Sequence, residues 1–412
     1  MILKKKALLG AVMAACLTLL AVPAFAADGT DLQTQINNTP EGGTLTLNQS
    51  YDLSESVTID KELTIDGGGN SINYTGTDSA IKVTAQAPVA LNNLTINAKD
   101  SGADGIDLIS NQPNLSLTGT TINADTRGID MYQENDYATG KLTITDSSIF
   151  NSRVSDYANE AVVGDTRGVA ISNIIDSDIT ISNSNIKGFG YSINTFSDED
   201  ASGTRPASNK YAITGSNIWG WSAVNVWTVG NTFDITNCDL RGINSSNRLG
   251  NSFSVLNIVK GIYGTSPDTA KHNVFNITGG TLDAKMTVST AFVEETIAYL
   301  GNQYETEFHF EKSRFKKVVM TCDKAHSAII AEALDANNTM DPAFSAWALS
   351  DKLTGPENAS YNQGSDSIFF PNHGLIAPGV YAGQRKPSTS SLSVEESSLL
   401  AGTEQHVGGD TI

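Results

Sequence analysis

A short phrase of alternating apolar and polar residues, closed by Gly, Asn or Asp, recurs along most of this chain. It reads Leu63-Thr64-Ile65-Asp66-Gly67, Leu94-Thr95-Ile96-Asn97, Leu115-Ser116-Leu117-Thr118-Gly119 and Leu142-Thr143-Ile144-Thr145-Asp146. It returns as Ile179-Thr180-Ile181-Ser182-Asn183, Tyr211-Ala212-Ile213-Thr214-Gly215, Phe233-Asp234-Ile235-Thr236-Asn237 and Phe275-Asn276-Ile277-Thr278-Gly279. Alternation marks a strand with one buried face, and the closing residue is a turn signal. A strand this short buries too little alone, so the copies must stack and share one long core. From Leu94 to Phe308 the starts are 21, 27, 37, 32, 22, 42 and 33 residues apart. The short intervals suit one coil of a solenoid. The long ones place polar insertions at 132–140, 151–165, 197–210 and 261–271, where a repeat protein usually carries its function.

A second strand recurs after the first. It reads Gly105-Ile106-Asp107-Leu108, Gly128-Ile129-Asp130-Met131, Gly168-Val169-Ala170-Ile171, Tyr191-Ser192-Ile193-Asn194 and Ala223-Val224-Asn225-Val226. With the aliphatic residues inward, Asp107, Asp130, Asn194 and Asn225 should form one outward polar column.

Stacked short strands, Asn-rich turns, uneven loops and the opening Leu63-Thr64-Ile65-Asp66-Gly67-Gly68-Gly69-Asn70-Ser71-Ile72 resemble the right-handed parallel β-helix, or pectin lyase-like, superfamily. The resemblance covers roughly 45–320 and implies an all-β solenoid. Residues 27–50 are expected as an N-terminal cap, with a short helix around Leu32 and Ile36, and 51–320 as the β-helix. Helical spacing at 326–334 and 342–353 suggests a helical C-terminal cap within 321–382. The unpatterned Ser-, Thr- and Glu-rich tail, 383–412, reads as disordered. The superfamily holds polysaccharide lyases, glycoside hydrolases and adhesins. The polygalacturonase set of Asn-Thr-Asp, Asp-Asp, Gly-His-Gly and Arg-Ile-Lys is absent, as is the pectate lyase Arg-x-Pro-x-x-Arg pattern. No catalytic residue is therefore carried over, and fold alone does not imply activity.

Lys4, Lys5 and Lys6, the apolar run Ala7 to Ala21 and Ala24-Phe25-Ala26 read as a secretory signal over 1–26, cleaved before Ala27. Export places the chain outside the cell or on its surface. Without those three Lys, 23 basic residues face 45 acidic ones, a formal charge of −22. That charge argues against nucleic acid and anionic membranes as partners. No later stretch is long and apolar enough for a helical membrane span. Cys238 and Cys322 remain after cleavage, as a disulfide or as two buried thiols.

Three constellations could carry chemistry. Asp107 and Asp130 on successive coils would stand about 5 Å apart, the strand spacing. One of two such carboxylates should have a raised pKa, as glycoside hydrolysis requires. The phrase Asp-Thr-Arg-Gly, at 125–128 and 165–168, brings Arg127 and Arg167 to the same column, where they could hold a uronate. Ca²⁺ on Asp107, Asp130 and an Asn is the metal version; the plain alternative is a solvated ladder neutralised by Arg. The second constellation is aromatic. Trp219, Trp221 and Trp227 lie within nine residues, and with Tyr132, Asn194 and Asn225 they could bind a sugar chain. The third, Glu307, His309 and Glu311 on one strand face, is followed by Lys312, Arg314, Lys316 and Lys317, which oppose a metal. No metal ligand is assigned from the sequence. The expectation is a surface protein that binds polysaccharide, adhesin-like, with a glycan-cleaving hydrolase or lyase as the alternative.

Overall fold

The computed structural model describes residues 27–258 apart from 100–101, 135, 155–161, 202–203 and 244–253, then 273–285 and a series of strands up to Gly379–Gln384. The signal segment expected at 1–26, the 261–271 insertion, the helix expected at 342–353 and the tail after 384 lie outside the described residues.

The described strands form two sheets, of 12 and 22 strands, paired almost throughout in parallel. This is an all-β, solenoid-like stack compatible with a parallel β-helix. One coil shows the pattern. Strand Asn114–Thr118 belongs to the first sheet; Thr121–Ala124 and Arg127–Tyr132 belong to the second. Leu115, Leu117, Ile122, Ala124, Ile129 and Met131 point inward and are fully buried. Each joins a column: Leu115 lies against Val89 and Leu142, and Ile129 against Ile106 and Val169. Further along, the inner column becomes aromatic. Tyr211 stacks on Phe233 at 4.3 Å and Phe233 on Phe275 at 4.5 Å, close to the strand spacing.

One expected start moves. The copy at Leu94 lies in the second sheet, where Thr95–Ala98 pairs with Thr121–Ala124; the first-sheet partner of Leu115 is Val89. Both sheets show the same alternation, so the phrase alone does not tell them apart.

The corner between the sheets is built on a left-handed residue in each coil, with a second, Gly69 or Gly280, following it at the Gly68 and Gly279 corners. Asn93, Gly119, Asp146, Asn183, Gly215, Asn237 and Gly279 have φ between 49° and 64°. Only Gly, and Asn or Asp with their local hydrogen bonds, adopt this conformation readily. Beneath the corner runs a buried hydroxyl ladder. The amides of Thr120, Ser147 and Ser184 each donate to the hydroxyl of the next coil, Ser147, Ser184 and Ser216, at 3.1 Å. Each of those three hydroxyls donates to the carbonyl two residues before it. Cys238 takes the next rung, with Sγ 3.3 Å from the Thr236 carbonyl; it is buried as a free thiol.

The ends are closed differently. The helix Gly29–Asn38 covers the first coils with Leu32 and Ile36. At the other end, Ala328–Ala333, expected as helix, is a strand. It continues the first sheet parallel to Glu305–Glu311 and pairs antiparallel with Gly379–Gln384. The open edge of the preceding strand offers unpaired backbone groups, and pairing with them outweighs the helix propensity of an Ala-rich segment. Ser367–Phe370 and Gly374–Leu375 likewise run antiparallel to Val318–Cys322 and Arg314–Phe315.

At Gly215 (φ +59) a Cβ would sit 2.8 Å from Asn183 Oδ1 of the coil before. Gly215→Ala should therefore cost about 1–2 kcal/mol, read as a lower urea midpoint with unchanged m-value.

Candidate functional site

The second corner, between the two strands of the larger sheet, places the candidate residues. At Gly105, Gly128 and Gly168 a Cβ would lie within 2.6 Å of the next coil's backbone. This inward bend lets residues three apart both point outward. Two tetrads then stack: Asp104-Gly105-Ile106-Asp107 on Arg127-Gly128-Ile129-Asp130. Ile106 pairs with Ile129 and Asp107 with Asp130. The carboxylates of Asp104, Asp107 and Asp130 each bring an oxygen within 4.8 Å of the other two.

Arg127 ties the group together. Its backbone amide donates to Asp104 Oδ1 at 2.8 Å and Nη1 to Asp104 Oδ2 at 3.2 Å; Nε lies 3.6 Å from Asp130 Oδ2. The Asp104 and Asp130 side chains are only 13% and 17% exposed. All three acids are pushed up to about 6, in each case mainly by burial. Beyond burial, Asp130 raises Asp104 while Arg127 holds it down. Asp104 raises Asp107, and the Ser79 hydroxyl lowers it. Asp107 raises Asp130 against Arg127 and Arg167. Asp107 Oδ1 and Ser79 Oγ are nevertheless buried without a well-formed hydrogen bond. Arg127 paired with Asp104 and Asp130 is the neutralisation that the plain alternative expects; the burial of these acids goes beyond a solvated ladder.

The cluster suits two kinds of chemistry. A neutral carboxylic acid beside an ionised carboxylate can donate and accept protons near pH 6. The three oxygens are also spaced as a hard cation such as Ca²⁺ would need, although the Arg127 guanidinium within the cluster opposes that use.

The expected column is present in register, with Asp107, Asp130, Ala170, Asn194, Asn225 and Asn257 on successive coils. Its character changes along the way. Asn194 and Asn225 are 4% and 1% exposed and form a closed amide ladder, so they are not surface ligands. Asn225 donates to Asn194 and Asn257 to Asn225, both at 2.6 Å. Arg167 pairs in register with Arg127, one coil from the acids.

The tryptophans separate. Trp221 is buried at 2% exposure, edge-on to Tyr191, with Val162 packed against the pair. Trp219 is half-buried, with Lys187 Nζ 3.7 Å above one face and the Arg241 guanidinium 4.0 Å from its ring, while Nε1 donates to Asp239. Neither offers a free platform for a sugar. The reason lies in neighbouring coils: Trp219 has cations at the same position on both of them, and Trp221 packs under Val162 and Gly164. A different outward strip forms instead. Tyr132 pairs with Ser172 and Ser172 with Phe196, while Trp227 lies 6.4 Å from Phe196. Sequence reasoning placed Phe196 on the coil before Trp227, as found, and named Tyr132 separately; it missed that Tyr132 lies in line with them and it missed Asp104. The signal was available: Asp104 opens the same tetrad that Arg127 opens one coil later. Strand Glu305–Glu311 carries Glu307, His309 and Glu311, whose side chains lie outside the described residues.

No family model and no curated protein matches the chain. Among solved structures, the Geobacillus virus E2 protein ORF18 is similar at 10% identity, with a TM-score of 0.29, over 88% of this chain and 76% of that one. A likeness at that level carries no argument about fold or activity.

The raised carboxylates have a stability consequence. Each folded pKa lies above its unfolded value, so between about pH 4 and 6 the native state binds more protons, and stability falls as pH rises through that window. Asp107→Asn should raise the melting temperature at pH 7.5 by a few degrees, with the gain vanishing below about pH 4. Thermal melts at the two pH values check this.

Proposed function

We propose that the chain is an exported glycan-cleaving enzyme of the right-handed parallel β-helix class, working by acid/base hydrolysis at Asp107 and Asp130. The observation that carries this is the half-buried carboxylate group on adjacent coils, with its pKa values pushed to about 6. Glycoside hydrolysis needs one carboxyl to protonate the leaving oxygen and one to attack or to activate water. A separation of about 5–5.5 Å favours direct attack and net retention, and the close approach of Asp107 and Asp130 oxygens fits that geometry better than a water-mediated one. Arg127 would keep Asp104 ionised and Asp130 oriented. Its own charge is then engaged, which speaks for positioning rather than for holding a uronate.

Pure binding is the second reading. Tyr132, two residues from Asp130 with Phe196 and Trp227 on later coils, favours it, since an aromatic beside the acids could hold a sugar ring without cleavage. It accounts less well for the acids, whose burial is costly unless their protonation is used.

Mature chain should release new reducing ends from at least one glycan in a panel, without 235 nm absorbance. Asp130→Asn should lower turnover by about 10²-fold or more with binding retained. Retention of every active glycan without cleavage would remove the hydrolase and leave the binding reading; absorbance at 235 nm would mean a lyase instead.

A further inference from the structure

The insertions divide the outer face of the larger sheet at the acids. Before them the turns are short. Thr84 to Pro88 alone connects Ser79–Val83 to Val89–Asn92, and Ile109 to Pro113 alone connects Asp104–Leu108 to Asn114–Thr118. From the coil of Asp130 onward they are long. The insertions at 132–140 and 197–210 leave the ends of strands Arg127–Tyr132 and Asn185–Phe196, and 151–165 leads into the start of Val163–Ser172.

These insertions build two walls. On one side Asn173 clamps two of them together: its amide donates to the Gln133 carbonyl at 2.9 Å and to Asp198 Oδ2 at 2.8 Å, and its Oδ1 accepts from the Asp198 amide. The Tyr137 hydroxyl adds a bond to the Asp198 carbonyl. On the other side Val162 and Gly164 pack over Tyr191 and Trp221.

The floor between the walls changes at the same place. Its outward column runs Lys82, Asp107, Asp130, Ala170, Asn194 and Asn225. The side chains of Lys82 and Asp130 are 30% and 17% exposed. Ala170, one coil further, is 1% exposed, and Asn194 and Asn225 stay buried. A floor that water does not reach admits no sugar ring. On the open half Ile109 is 40% exposed, the large apolar side chain left bare among the described residues. It follows Leu108, the partner of Met131, and so lies beside Tyr132. The acids thus stand at a step, with an open trough over the earlier coils and a closed cleft over the later ones.

We infer that cleavage here is confined to glycan ends: the terminal sugar stops at the closed floor beyond Asp130, flanked by Tyr132 and Ile109, and the rest of the glycan runs out over the coils of Asp107 and Lys82. Each turnover adds one water across a glycosidic bond near that end and frees one short sugar. This rests on the proposed hydrolysis and narrows its substrate to termini, so the pattern of products tests it apart from the occurrence of cleavage.

The experiment follows digestion of homogalacturonan, xylan and mixed-linkage β-glucan by the mature chain, with viscosity, reducing ends and product size read together. Viscosity should hold near its starting value while reducing ends accumulate, and a mono- or disaccharide should be the first product. Two hexamers of the cleaved glycan, each methylated at a different end, extend the test. One of them should be cut at least about tenfold more slowly than its parent, the weight of one methylene in a closed pocket. A steep early fall in viscosity with long products, or unslowed cleavage of both methylated hexamers, would overturn the inference and leave hydrolysis standing. No cleavage of any of the three polymers would remove the hydrolase reading and this inference with it.

Discussion

Everything in this fold depends on one turn in the backbone that side chains with a Cβ resist. Each coil from Asn93 to Gly279 passes from the first sheet to the second through a left-handed residue. At the five corners from Gly119 to Asn237 the next residue, Thr120, Ser147, Ser184, Ser216 or Cys238, sets a hydroxyl or thiol on the carbonyl two residues before it. Because the corner recurs from coil to coil, insertions of very different length leave the first sheet in register, while the second sheet shifts between Val163 and Arg167 and between Lys187 and Phe189. The inner aromatic stack and the outer polar column both require that constancy, since each residue must meet its counterpart at the strand spacing.

The site is a product of the second corner. Gly105, Gly128 and Gly168 sit where the next coil leaves no room for a side chain. The tight bend there turns residues on either side outward together, so each coil presents a pair of functional groups rather than one. Stacking two such pairs makes a four-residue cluster, Asp104, Asp107, Arg127 and Asp130. Three acids in so small a volume would be unstable without a cation, and Arg127 is held by two of them. Burial still dominates, leaving the acids at a pKa where protonation is variable near neutrality.

Much of this was legible in the sequence, for a definite reason. Alternation and turn chemistry are local, so Gly128-Ile129-Asp130 announces its strand, its buried face and its outward Asp. The alignment of Asp107 with Asp130 and of Arg127 with Arg167 followed from repeated phrases. What was not legible depends on neighbours one coil away. Trp219 looks like an exposed platform until Lys187 and Arg241 are placed beside it. Asn194 and Asn225 look like ligands until they bond to each other. Ala328–Ala333 has the composition of a helix, and only the waiting strand edge makes it a strand. Phe196 joined Tyr132 through a register that an insertion hides from simple spacing.

The asparagine ladders have a direction. In the first coils Asn73 donates to Asp52, Asn97 to Asn73 and Asn123 to Asn97. In the later coils Asn257 donates to Asn225 and Asn225 to Asn194. Every amide in both series gives its hydrogens toward the start of the chain, so their dipoles add. The first series ends on the carboxylate of Asp52. The second aims, across Ala170, at the coil of Asp130. A row of uncharged side chains thus behaves as a wire of fixed polarity, with its electropositive tip turned toward the acidic centre and its sign indifferent to pH.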